Sequence, residues 1–119
     1  PEALGGHFRA LLDAISIPVI IQDASGYLGN AVPLFLQEEL WRECPDRVSF
    51  KPEGQPIGQQ IALLRQITDG RAMIFDGMGG SALAAHHPLG VHGVMPGSDL
   101  AWAIVALWTA LENGDADLA

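Results

Sequence analysis

Four short apolar runs alternate with stretches of helical periodicity along this chain. That alternation limits the fold more than any other feature of its 119 residues. The runs are Ile17–Ala24, Arg47–Glu53, Ala72–Asp76 and Val91–Pro96. Each is short, bounded by turn residues and apolar at most positions, which predicts buried strands. Phe8, Leu11, Leu12 and Ile15 recur at helical spacing and predict an amphipathic helix over Leu4–Ile15. Further helices are expected over Leu34–Glu43, stopped by Cys44-Pro45-Asp46, and over Gln59–Thr68, ended by Asp69-Gly70. Ser81–His87 and Leu100–Leu111 complete the set, closed by Pro88 with Gly90 and by Asn113-Gly114.

The order is a helix followed by four strand–helix units, repeating about every 25 residues. Strands apolar on both faces, separated by amphipathic helices, predict an α/β fold with a parallel sheet covered by helices. A doubly wound open sheet and a (β/α)8 barrel both use this order. Polar or glycine-rich residues follow every strand: Gln22-Asp23, Lys51-Pro52-Glu53-Gly54, Asp76-Gly77-Met78-Gly79-Gly80 and Pro96-Gly97-Ser98-Asp99. Barrel enzymes keep their chemistry at those strand ends. Four units make half a barrel, so residues 1–119 are expected to form one partial barrel with no second domain. The chain opens on Pro1-Glu2-Ala3 without Met, which fits either a processed start or a piece of a longer protein.

Composition excludes several function classes. Fourteen acidic against six basic side chains give a net charge of −8, which disfavours phosphate backbones and anionic lipid as partners. The longest apolar run, Leu100–Leu111, falls short of the roughly 20 residues that cross a bilayer. The single cysteine, Cys44, has no partner within the chain for a disulfide, in keeping with a reducing cytoplasm. Adjacent His86 and His87 point apart on a helix, and His7 and His92 lack partners at ligand spacing, so no metal is expected. Trp41, Trp102 and Trp108 fall on helices, as core or interface residues.

Lys51 is the only lysine, and it lies inside a strand after Val48-Ser49-Phe50. Burial of an ammonium is unfavourable and makes the neutral, nucleophilic amine more available. The alternative is a strand-end lysine whose stem is packed and whose head reaches water. Glu53, two residues on, shares a face with Lys51 in a regular strand, either to shuttle protons or simply to pair with it. Pro52 between them puts that regularity in question. Asp23 fits a substrate-orienting carboxylate and a helix cap equally. Gly77-Met78-Gly79-Gly80 lets backbone amides approach an anion, but matches no phosphate or dinucleotide fingerprint. A nucleotide-binding doubly wound domain is disfavoured accordingly.

IPVIIQDASGYLG, VSFKPEG, FDGMGG and LGVHGVMPG occur here in an order and spacing that resemble one family. From His7 to Ala119 the chain is similar to the dihydrodipicolinate synthase / N-acetylneuraminate lyase family of Schiff-base aldolases, as a divergent member. The resemblance implies the second part of a (β/α)8 TIM barrel, from its fourth helix through its eighth strand and the following helix. Lys51 then matches the imine-forming lysine of the sixth strand, and Gly77 and Met95 match backbone positions lining the pocket on the next two strands. Gln22 stands where the family usually has a proton-relaying tyrosine, and Tyr27 where the synthases carry an arginine for a substrate carboxylate. Gln22 and Tyr27 are thus expected to meet substrate, with Glu53 or Asp23 taking over part of the proton relay.

The implied function is a class I lyase or aldolase acting on pyruvate or a 2-keto-3-deoxy sugar acid. It needs no metal or dissociable cofactor, because the imine itself is the electron sink. A 2-keto-3-deoxy sugar acid dehydratase using the same imine is the alternative within enzymes. A non-catalytic binding relative is the alternative outside them. A small 2-oxo acid is the expected partner, and the full-length protein is expected to be a homo-oligomer.

Overall fold

The computed structural model describes residues 2–115. Six helices and four strands follow one another as α1 (Glu2–Ala14), β1 (Val19–Asp23), α2 (Ser25–Leu28), α3 (Leu34–Glu43), β2 (Val48–Pro52), α4 (Ile57–Ile67), β3 (Phe75–Asp76), α5 (Leu83–His86), β4 (Gly93–Val94) and α6 (Ala101–Asn113). Short 3-10 turns precede and follow α5, at Met78–Gly80 and His87–Leu89. The strands run in parallel as two pairs, β1 with β2 and β3 with β4. A parallel bridge between Phe50 and Ile74 joins the pairs, with the Phe50 N–H donating to the Met73 carbonyl at 3.0 Å. The described strands therefore lie side by side in chain order and do not close a barrel.

Side-chain alternation sorts each strand into two faces. Ile21 of β1, Val48 and Phe50 of β2, and Ile74 beside β3 are buried under the helices. There they meet Leu12, Leu36, Leu40, Trp41, Ile61, Leu64 and Leu83. The opposite face is open, leaving Ile20 and Met73 exposed. Arg47 ties α1 to the start of β2: its guanidinium donates to the carbonyls of Leu12 at 3.0 Å and Ile15 at 2.6 Å. A cation there satisfies carbonyls that a helix C-terminus leaves unpaired and complements the helix dipole.

The elements depart from expectation mainly in the second half. Only Phe75–Asp76 of the expected Ala72–Asp76 strand, and Gly93–Val94 of Val91–Pro96, form a ladder. The Ile74 N–H goes to His92 Nδ1 at 3.3 Å, so an imidazole replaces a main-chain acceptor there. Pro96 has no N–H with which to extend β4. The helix expected over Ser81–His87 shrinks to Leu83–His86, because Ser81 and Ala82 belong to the turn after the left-handed Gly79 and Gly80, and His87 opens the 3-10 turn that contains Pro88. Helix α4 starts at Ile57, earlier than expected, and α2 was not anticipated at all. Trp41 is buried, whereas Trp102 is 75% exposed on α6 and contributes nothing to the core. Among the described residues no helix is long and apolar enough to cross a membrane.

Candidate functional site

Parallel register brings the chemistry together. Gln22 pairs with Lys51 across β1 and β2, so both side chains project from the open face. Phe75 follows Ile74, the bridge partner of Phe50, and pairs with Gly93, which extends the same row across the sheet. Lys51 lies at the C-terminal end of β2 with its side chain 17% exposed. Its Nζ is 3.2 Å from Glu53 Oε1.

Glu53 is the most heavily contacted group of the site. Gln22 Nε2 donates to Oε2 at 2.5 Å, and the Met78 N–H donates to Oε1 at 3.2 Å. Gly77 is required by this packing, since a Cβ on it would stand 2.5 Å from Glu53 Oε1 and 2.6 Å from Cγ. Burial pushes the Glu53 carboxyl up. The hydrogen bonds from Gln22 and Met78 and the contact with Lys51 outweigh that, and hold it below the ordinary carboxylate value. The carboxylate is thus ionised near neutral pH and lies within proton-transfer distance of the only lysine.

Pro52 does not break the strand. The Glu53 N–H donates to the Asp23 carbonyl at 2.9 Å, so the ladder resumes immediately after the proline and Glu53 keeps the face of Lys51. Met78 itself is held at φ +53°, a conformation side-chain-bearing residues rarely adopt. Its Sδ accepts a hydrogen bond from the Tyr27 hydroxyl at 3.0 Å, which brings α2 over the end of β3. Tyr27 is otherwise exposed.

Asp23, expected as a catalytic carboxylate, lies on the other face of the sheet, paired in register with Pro52 rather than Lys51. Its Oδ1 accepts the N–H groups of Ser25 at 3.1 Å and Val32 at 3.4 Å. That is the role of a turn residue organising the loop after β1, and it removes Asp23 from the group around Lys51. Met95 follows β4, and its N–H donates to the Asp76 carbonyl at 3.1 Å. Its main-chain donor is therefore engaged with the sheet. A cleft of about 380 Å³ opens beside Gln22, between Leu4, His7 and Phe8 of α1, Leu28 at the end of α2 and the loop residue Asn30. The glycine run was expected to let backbone amides approach an anion, and the Met78 N–H does so, with the Glu53 carboxylate of this chain as the anion. His86 and His87 do point apart, toward Asp76 and Glu112. No group of three or more metal-ligating side chains converges among the described residues.

No family model and no curated protein matches this sequence. Its fold is similar to the crystal structure of a "putative dihydrodipicolinate synthetase" from Pseudomonas aeruginosa, with 26% identity and a TM-score of 0.83. The likeness covers 96% of this chain and 39% of that one. The chain thus has the fold of a part of that protein, an α/β unit that supports a partial (β/α)8 barrel.

Proposed function

We propose that this chain supplies the imine-forming part of a (β/α)8-barrel lyase or aldolase, acting on pyruvate or a 2-keto-3-deoxy sugar acid. The observation that carries the proposal is the position of Lys51. It is the only lysine, stands at the C-terminal end of a parallel strand, and has an ionised carboxylate 3.2 Å from its Nζ. The likeness to a protein described as a dihydrodipicolinate synthetase supports the same assignment.

In this reading the neutral Lys51 amine attacks the 2-oxo carbon, and Glu53 helps to pass the proton released from the nitrogen to the departing hydroxyl. The carbinolamine then loses water to give the imine. The protonated imine draws electrons from the adjacent carbon, so that carbon loses a proton or its bond to the next carbon breaks. Glu53 carries the proton in and out, held in place by Gln22 and the Met78 N–H. In this reading Gln22 and Tyr27 also contact the substrate.

Borohydride trapping tests the proposal on the complete protein. Adding pyruvate or another 2-oxo acid with borohydride should fix an adduct on the peptide containing Val48-Ser49-Phe50-Lys51. Lys51→Arg should abolish trapping and turnover, since a guanidinium stays protonated. Absence of any adduct across several 2-oxo acids, with activity surviving Lys51→Arg, would remove the imine from this site.

A further inference from the structure

Behind the open face lies a second polar pair that the imine chemistry does not use. Asp76 and His86 are both buried, 1% and 8% exposed, in the layer between the sheet and the helices. His86 Nδ1 and Asp76 Oδ1 are 2.9 Å apart. Where Asp76 is ionised, Nδ1 is the donor of this contact. Asp76 Oδ2 is buried with no partner among the described residues. The His86 ring lies against Gly58 at the start of α4, where a Cβ would come within 3.7 Å of Cδ2 and Nε2. A buried carboxylate with one oxygen unsatisfied costs free energy, and such a group in an apolar layer calls for a reason beyond packing.

The turn that follows supplies the reason. Asp76 is followed directly by Gly77, packed against Glu53, and by Met78, whose N–H donates to Glu53. Met78 holds a left-handed conformation at φ +53°, and strain of that kind persists only where the surroundings over-determine it. On the far side the turn is closed by the Gly80 and Ser81 N–H groups, bonded to the carbonyls of Gly77 and Met78. On the near side the chain is fixed at Asp76, through its carbonyl to Met95 and its side chain to His86.

We propose that Asp76 and His86 form a positioning pair, which anchors the Gly77–Met78 turn so that the Met78 N–H stays on the Glu53 carboxylate. The pair touches neither Lys51 nor substrate and acts only through the turn. Its bearing on catalysis rests on the imine reading above, whereas its effect on Glu53 does not.

The test is the titration of Glu53, followed by carboxyl carbon NMR in the complete protein. His86→Leu removes the anchor, and Glu53 should titrate higher as a hydrogen bond to its charged form is lost. His86→Asn places an amide donor near the position of Nδ1 and should restore the wild-type titration. If His86→Leu fails to fold, Asp76→Ala, which removes the acceptor of the same contact, makes the comparison. An unchanged Glu53 titration in a destabilised variant would overturn the proposal and leave the pair as packing alone. Borohydride trapping run in parallel separates the two readings. No trapping in wild type with Glu53 shifted in the variants sinks the imine and keeps the positioning pair; equal trapping with Glu53 unmoved does the reverse.

Discussion

Gln22 and Glu53 are 31 residues apart in sequence, yet the Gln22 amide donates to the Glu53 carboxylate across two parallel strands. With Lys51 on the other oxygen, the carboxylate is held between an amide and an amine on one face of the sheet. Gln22 thereby acts on the site indirectly, by orienting and charging Glu53.

Glu53→Gln should separate imine formation from proton transfer. A positioned acid–base group contributes typically 10²–10⁴-fold in rate, so turnover should fall within that range. Trapping of a 2-oxo acid on Lys51 should persist, more slowly. Comparing steady-state turnover with the rate of borohydride trapping checks this, and unaltered turnover would exclude Glu53 from the relay.

Gly77→Ala should damage the site far more than Gly79→Ala. An added Cβ at Gly77 meets Glu53 at 2.5 Å, whereas at Gly79 (φ +68°) nothing lies within 4 Å. Overpacking of that degree costs about 1–3 kcal/mol and displaces the carboxylate. At Gly79 only the left-handed backbone penalty of about 1 kcal/mol applies. Thermal melts of the two variants, with trapping rates, should rank them in this order.

Acid should weaken the fold partly through Glu53. Its folded-state pKa lies below its ordinary value of 4.5, so the unfolded chain binds the proton more readily. The stabilisation is then fully present above about 4.5 and is lost as pH falls through the folded value. Wild type and Glu53→Gln should differ in melting temperature at neutral pH and converge on acidification. A gap that is constant with pH would contradict the shift.

Expressed by itself, residues 1–119 should self-associate. Among the described residues β1 and β4 each have one unpaired edge, and Ile20, Met73 and Trp102 leave 41%, 48% and 75% of their surfaces exposed. Unpaired parallel edges beside apolar surface invite intermolecular pairing. Sedimentation at several concentrations should show reversible dimers or larger species. A monomer at every concentration with a sharp melt would show that the open face is tolerated.

Much of the architecture was legible in the residues. Runs such as Ile17–Ala24 and Arg47–Glu53, set between helical periodicities, predict parallel strands under helices because burial of side chains imposes those patterns locally. Lys51 stood out as the only lysine of the sequence, set after Val48-Ser49-Phe50 inside a strand. The ladder lengths of β3 and β4 were not legible, since an extended segment such as Ala72–Ile74 reads alike whether its N–H groups meet a carbonyl or the His92 ring. Tertiary structure alone placed Asp23 on the far face, brought Gln22 and the Met78 N–H to Glu53, and paired Asp76 with His86. Those contacts depend on register between segments 10 to 31 residues apart and on one turn held at positive φ. Periodicity reports which face of its own element a side chain occupies, while register decides which neighbour it meets there.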